Sequence, residues 1–253
     1  LNEIEIAAFY GCVSLTTFDL PKTVRTFKSE CFKNTPNYNA QINLIIDDKE
    51  ICIENNAFEN SGITSFKSKS KKIEVSRLAF KDCQKLTLFS SDVEIECAIK
   101  ESSFMNCSSL KTVKLTKDVP KIEIGESCFI NSSIESFDVP VELKDIPKSC
   151  FKNCKKLKQI KIHNNSRLEH LYNEAFYNSG IESIFISFKI VKIHKSCFEN
   201  CEKLKEVSFA KDKPSLKIGE RAFANSGLEQ FYVGKFIWTI GCSCFENCSN
   251  LKK

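Results

Sequence analysis

Short segments in which apolar and polar positions alternate recur along the whole chain. Residues 110–115 (LKTVKL) and 157–162 (LKQIKI) are typical. A period of two residues predicts a β-strand that buries one face and exposes the other. Because the segments are short and return at similar intervals, we expect one strand per repeat, with the strands stacked as a parallel sheet about 4.8 Å apart.

A second regular feature is a phenylalanine preceded by Ala or Cys, or once by Ser103. An apolar residue stands five positions before each of these phenylalanines, and Asn stands two positions after nine of them, with Gly11 and Asp82 as the exceptions. The stretch around each phenylalanine is too short for a long helix, so we predict one helical or 3₁₀ turn per unit. Eleven phenylalanines carry the pattern, at steps of 22 to 26 residues: Phe9, Phe32, Phe58, Phe80, Phe104, Phe129, Phe151, Phe176, Phe198, Phe223 and Phe245.

A step of this size is typical of a leucine-rich-repeat solenoid, in which each unit buries its apolar residues only by stacking on its neighbours. The motif resembles the BspA-type, or Treponema-type, leucine-rich repeats, and residues 146–162 (IPKSCFKNCKKLKQIKI) show it well. The resemblance covers all 253 residues. It implies an α/β fold: a single curved solenoid of about eleven 22–26-residue units, with a parallel β-sheet on the concave face and short helical or 3₁₀ turns elsewhere.

From Phe104 onward, units reading Asn-Cys alternate with units reading Asn-Ser. Steps of 25 and 22 residues alternate with them, so the true repeat is a pair of units 47 residues long. We interpret the pair as a duplicated two-unit cassette. A two-fold periodicity in a ligand is the alternative.

The unbroken repeat predicts one domain over residues 1–253. The chain starts at Leu1 inside a unit and stops inside another, without the polar capping units that shield the ends of a solenoid. We therefore expect it to be part of a longer chain, with membrane association only through segments not in this chain. No apolar run approaches the roughly 18 residues that a membrane-spanning helix needs.

Most of the fourteen cysteines occupy two positions of the repeat, directly before the phenylalanine or three residues after it. Ala, Ser or Thr fills the same positions in other units, which favours small buried side chains rather than bridges. A disulfide framework remains the alternative. We expect no metal site, because no Cys-x₃-Cys pair meets a second pair one unit away, and the three histidines lie in different units.

Four Asn-x-Ser sequons are present, at Asn106, Asn131, Asn164 and Asn247. Three of these are the repeat asparagine, which we expect to bond to backbone groups at the turn and form a ladder along the coil edge. Burial in such a ladder would prevent glycosylation. Only Asn164 has the sequence context of an exposed loop acceptor.

No catalytic motif is present: the chain has no nucleophile elbow, phosphate loop or His-Glu-x-x-His. A net charge of +5 over 253 residues is mild and disfavours nucleic-acid binding. We therefore predict a protein that is not an enzyme, uses no cofactor and binds neither a small-molecule substrate nor nucleic acid.

Candidate partner-binding residues are those at the exposed strand positions, which we expect on the concave face. Exposed aromatic side chains are favoured interface anchors, although packing against a neighbouring unit or a missing cap is the alternative for each. The predicted residues are Lys114, Asp138, Lys161, Phe185, Tyr232 and Trp238.

The family resemblance implies a non-enzymatic protein-binding repeat module, with a role as a cell-surface or secreted protein in adhesion or host interaction. An intracellular scaffold that holds a larger assembly together, for example in the cytoplasm or cytoskeleton, is the alternative. A third hypothesis is a spacer within a longer repeat array, which would have no partner on its sheet.

Overall fold

The computed structural model describes residues 1–211 and 213–252, and of residues 46–48 only the backbone. Every strand pair in this part of the chain is parallel. The strands are β1 (Glu3–Ile4), β2 (Thr26–Phe27), β3 (Gln41–Ile53), β4 (Ser65–Val75), β5 (Leu88–Ile99), β6 (Thr112–Leu115), β7 (Lys121–Ile124), β8 (Ser136–Asp138), β9 (Asp145–Ile146), β10 (Gln159–Lys161), β11 (His170–Leu171), β12 (Ser183–Ile186), β13 (Lys192–Ile193), β14 (Glu206–Phe209), β15 (Leu216–Ile218) and β16 (Ile237–Ile240).

The chain is a parallel β-solenoid whose strands form two ladders rather than one sheet. The first ladder is the predicted one and runs through β6, β8, β10, β12 and β14. The second includes β1 and β2, which lead into β3, then β7, which pairs with β5, and a separate run of paired strands through β9, β11, β13, β15 and β16. Strands β3, β4 and β5 are long enough to belong to both. Each strand of the second ladder ends on the apolar residue five positions before a repeat phenylalanine, a feature that was visible in the sequence but not interpreted as a strand.

The eleven repeat phenylalanines stack into one continuous column inside the solenoid. Ring centroids of successive members lie 4.8 to 5.6 Å apart, with interplanar angles of 2° to 17°. All members between Phe9 and Phe245 are fully buried. Stacked aromatic pairs contribute about 0.5–1.5 kcal/mol beyond the burial of their area, so the column joins neighbouring coils along the whole axis.

The predicted α/β class and helical or 3₁₀ turns are wrong, because the described residues contain no helix. The turn instead divides its backbone hydrogen bonds between two coils. Phe151 N donates to Ala175 O of the next coil at 2.8 Å, whereas Lys152 N donates to Ser149 O of its own turn at 3.2 Å. A helix needs consecutive bonds within one segment. The described residues therefore include no helix that is long and apolar enough to cross a bilayer.

Two residues in every turn have a left-handed backbone conformation. They lie two positions before and two positions after the phenylalanine, and in the non-glycine cases φ is between 53° and 61°. Asn, Asp and Gly tolerate this region best. The second position holds Asn in nine units, and its exceptions are Gly11 and Asp82. The backbone thus explains both the repeat asparagine and its two departures.

Candidate protein-interaction surface

Three of the predicted residues lie side by side on the exposed side of the first ladder. Lys114 is on β6, Asp138 on β8 and Lys161 on β10, at equivalent positions of successive coils, and all three are exposed. Asp138 and Lys161 are register partners, with Oδ2 and Nζ 3.5 Å apart, and His163 Nε2 lies 2.5 Å from Asp138 Oδ1. Exposed pairs of this kind contribute little to stability, so these charges are available to a partner.

Phe185 continues the same row on β12, where its register partner is Ser208 on β14. Its side chain is half-buried. The structure therefore brings four of the six predicted residues onto one surface, which carries a positive, a negative, a positive and an aromatic side chain in succession. We call Lys114, Asp138, Lys161 and Phe185 the ladder row.

The other two predicted residues lie elsewhere. Tyr232 was expected on a strand, but residues 230–232 do not form one, and its side chain is 72% exposed. Trp238 was expected on the same face as the others and instead lies on β16 of the second ladder. Lys217 Nζ lies 5.6 Å from the centroid of its ring, a cation–π contact that leaves the side chain 71% exposed. The predicted placement of Trp238 is wrong because the sequence pattern does not reveal the second ladder. Its role in partner binding stays a prediction.

A groove that the sequence did not predict opens beside β14. It lies between β14 and residues 230–236 and has a volume of about 1120 Å³. Lys213 forms part of its wall and is 5% exposed. Its ammonium donates to the backbone carbonyls of Ser187 at 3.0 Å, Phe188 at 3.3 Å and Ile190. Burial lowers the pKa of Lys213 to about 8.

The repeat asparagines form the predicted ladder, but by a different set of bonds. Most of their side chains bond to one another rather than to backbone: Asn153 Nδ2 donates to Asn131 Oδ1 at 3.0 Å, and Asn178 Nδ2 donates to Asn153 Oδ1 at 2.8 Å. Asn200 Nδ2 instead donates to the hydroxyl of Tyr177 at 2.7 Å. This ladder does not bury its three sequon asparagines, because Asn131 and Asn247 are exposed and Asn106 is half-buried. Asn164 is exposed, as predicted.

All fourteen cysteines are free thiols, and ten of them are buried. The position three residues after the phenylalanine selects a hydrogen-bond donor as well as a small side chain. Cys83 Sγ donates to Phe58 O of the preceding coil at 2.9 Å, and Cys201 Sγ donates to Phe176 O at 3.0 Å. This explains why Ser and Thr, but not Ala, replace Cys there. Burial raises the pKa of Cys201 to about 11, so the thiol is unreactive.

Two histidines from different units meet on the second ladder. The rings of His170 and His194 have centroids 5.6 Å apart, and Tyr172 stacks on His194 at 4.6 Å. Burial lowers the pKa of His194 to about 4. His170 is also the register partner of Asp145. Nowhere in the described part of the chain do three or more His, Cys, Asp or Glu side chains form a group that could hold a metal ion.

Two solved structures show the same fold. A leucine-rich repeat protein from Bacteroides ovatus ATCC 8483 aligns with 100% of this chain and 81% of its own, with a TM-score of 0.59 and 20% identity. A leucine rich cell surface protein from Faecalibacterium prausnitzii A2-165 aligns with 85% of this chain and 69% of its own, with a TM-score of 0.57 and 18% identity. No curated protein matches the chain.

A sequence family matches almost the entire length. Its description is "BspA type Leucine rich repeat region (6 copies)", and the matches cover residues 2–123 and 122–252. The repeat phenylalanines, the small donor position after them and the first ladder are the structural counterparts of that pattern. The chain therefore belongs to the BspA-type leucine-rich-repeat family.

Proposed function

We propose that this chain is a non-enzymatic protein-binding module that serves in adhesion at a cell surface or after secretion. The observation that carries the proposal is the ladder row, in which three exposed charged side chains and one half-buried aromatic side chain lie on successive strands of the first ladder. Family membership supports it, because leucine-rich repeats generally mediate contacts between proteins. The relative from Faecalibacterium prausnitzii, described as a cell surface protein, supports the location.

The first ladder suits recognition because its side chains are held by a rigid framework. From β6 to β14 the ladder spans about 19 Å, at about 4.8 Å per coil. Protein–protein interfaces of ordinary size cover about 800 Å² on each partner, which such a surface and its flanking turns can supply. A partner with charges opposite to Lys114, Asp138 and Lys161 would be selected, and Phe185 would provide the apolar anchor.

Adhesion assays with matched charge reversals test the proposal. Labelled wild type is applied to epithelial cells and to plates coated with fibrinogen, fibronectin or collagen, beside a Lys114→Glu/Lys161→Glu variant. The control is Lys144→Glu/Lys148→Glu, which makes the same charge change at exposed positions flanking β9 of the second ladder. We expect the first variant to lose about tenfold in binding and the control to retain it. Equal loss in both variants, or no binding by wild type, would refute the proposal.

An intracellular scaffold is the second candidate function, and the ten buried free thiols favour it. Disulfides persist in oxidising compartments and are rare in the cytosol. Intact mass of the protein from its native source, after alkylation under denaturing and non-reducing conditions, separates the two. Fourteen alkylated cysteines without a glycan on Asn164 would favour the scaffold, whereas oxidised pairs or an occupied Asn164 would place the chain outside the cytosol.

A further inference from the structure

The first ladder stops at β14, and the chain that would continue it bends away. Strand β14 pairs with β12 on one side, and none of the described strands pairs with it on the other. Glu229 N still donates to Lys205 O at 3.4 Å, so the next coil begins in register. Beyond that point residues 230–236 diverge from β14, and the groove lies between them. An unpaired strand edge beside an open groove is the geometry that accepts an added strand.

Residues 230–236 pack closely on one another around Gly234. A Cβ at this position would lie 2.3 Å from the ring of Phe236, so only glycine permits the contact. The Phe236 ring in turn packs on Phe209 at 5.1 Å, and Leu216 N donates to Phe236 O at 2.8 Å. The far wall of the groove is therefore held in place by its own contacts.

The groove is apolar inside and positively charged at its rim. Phe209 contacts both Phe231, at 5.6 Å, and Phe236, and the three rings line the groove. Among the described residues, its charged lining consists of three lysines, of which Lys213 is bonded to backbone carbonyls, and one glutamate. Lys211 and Lys235 are exposed and form no ion pair within the described residues. A neutral apolar ligand would leave these charges unused.

We propose that this groove binds an extended acidic peptide, which adds a strand to the free edge of β14. The proposal rests on the proposed function and names a second contact region and the partner chemistry for it. The peptide backbone would bond to the edge formed by Glu206–Phe209, about 13 Å long at 3.3 Å per residue. One alternating set of its side chains would pack on the aromatic floor, and its carboxylates would lie near Lys211 and Lys235. Tyr232 also lines the groove, with its side chain 72% exposed.

Fluorescence anisotropy with labelled hexapeptides of three kinds provides the test. The first is Glu-Val-Glu-Phe-Glu-Val, the second replaces each Glu with Lys, and the third carries N-methyl groups on alternate amides, made in both registers. We expect the acidic peptide to bind at least about tenfold more tightly than the basic one. We also expect one N-methyl register to abolish binding and the other to preserve it, because only one set of amides faces β14.

Variants locate the site. Lys211→Glu/Lys235→Glu should weaken acidic-peptide binding by about tenfold and improve binding of the basic peptide, whereas the control Lys144→Glu/Lys148→Glu should change neither. Sedimentation of the chain alone shows whether a second copy occupies the groove instead. Equal affinity for both peptides, no binding at about 1 mM, unchanged binding by the Lys211 and Lys235 variant, or a dimer that Tyr232→Ala dissociates would each overturn the proposal.

The two proposals fail separately. Loss of peptide binding with intact adhesion would remove the groove and leave the ladder row as the partner surface. Conversely, the groove could bind the peptide while Lys114→Glu/Lys161→Glu left adhesion unchanged. That result would rule out the ladder row as the partner surface and leave the groove.

Discussion

Replacement of a single ladder asparagine separates the backbone role of the residue from its side-chain role. Asn153 has φ of 60°, donates from Nδ2 to Asn131 and accepts at Oδ1 from Asn178. Asn153→Gly removes both side-chain bonds but keeps the left-handed conformation. Asn153→Ala removes the same bonds and leaves in that conformation an L-residue without the polar side chain that lets Asn adopt it readily. Asn153→Asp keeps the acceptor, as Asp82 does when it accepts from Asn106.

The structure gives an order for the three variants. Each lost side-chain bond costs about 0.5 kcal/mol, the lower end of the usual range, because the partners can bond to water. Asn153→Asp should therefore lose about 0.5 kcal/mol. Asn153→Gly should lose about 1.5 kcal/mol, because glycine also gains freedom in the unfolded chain. Asn153→Ala should lose about 2–3 kcal/mol, because the left-handed region costs about 1–2 kcal/mol for an L-residue that, unlike Asn, has no polar side chain to bond locally.

Urea unfolding followed by circular dichroism measures these differences, and amide hydrogen exchange near residue 153 reports local opening if the solenoid unfolds in parts. Asn164 provides the matched control, because it is exposed and its φ is not positive. There Ala should be at least as stable as Gly. If Asn153→Ala were as stable as Asn153→Gly, the conformational explanation of the repeat asparagine would be refuted.

Three further changes have defined outcomes. Phe151→Ala removes a ring that stacks on a neighbouring ring on each side, and it should lower the free energy of unfolding in urea by about 3–5 kcal/mol. A decrease below about 1 kcal/mol would contradict a stabilising role for the phenylalanine column. In the native state only Cys12 and Cys242, which are exposed, should react rapidly with a thiol reagent. The other cysteines should react only after unfolding. Rapid reaction of all fourteen would show that the core opens readily. Burial lowers the pKa of Lys213 from 10.5 in the unfolded chain to about 8 in the folded protein. Between these two pH values the unfolded chain holds a proton on this residue that the folded protein has lost. The contribution of Lys213 to the free energy of unfolding should therefore rise from pH 8 to pH 10.5. The difference between wild type and Lys213→Met across that range measures it, and a constant difference would contradict the burial of the ammonium.

The sequence predicted the elements whose signals are local and repeated. The alternating segments became the first ladder, and buried positions such as Phe151 and Ile160 were identified by period alone. The turn could not be predicted in the same way, because half of its hydrogen bonds go to a coil more than twenty residues away. Gly11 and Asp82 did carry a signal for the backbone conformation of the turn. Asn, Asp and Gly are the residues that best tolerate a left-handed backbone, and these three alone fill the position.

The sequence predicted the candidate surface where it follows the strands of the first ladder. It did not predict the parts that lie on the second ladder or outside the strands. Lys114, Asp138 and Lys161 fell on one face because each is the neighbour of a buried strand residue. Trp238 was assigned to the wrong face because strands of two to four residues leave too little alternation to detect. The groove depends on whether residues 230–232 pair with β14. In the structure they form no strand and the segment packs around Gly234, which its apolar pattern does not signal.

The divided hydrogen bonding of the turns sets what can cover an end of the solenoid. In every described turn before the one around Phe245, three backbone N–H groups donate to the following coil, as those of Ser127, Phe129 and Asn131 do. Outside the turns the direction is reversed, since Gly180 N and Glu182 N donate to carbonyls of the preceding coil. Each face of a coil therefore carries donors and acceptors at separate places. A segment that covers one end needs acceptors over the turn and donors beyond it, and a segment that covers the other end needs the reverse, so the two are not interchangeable.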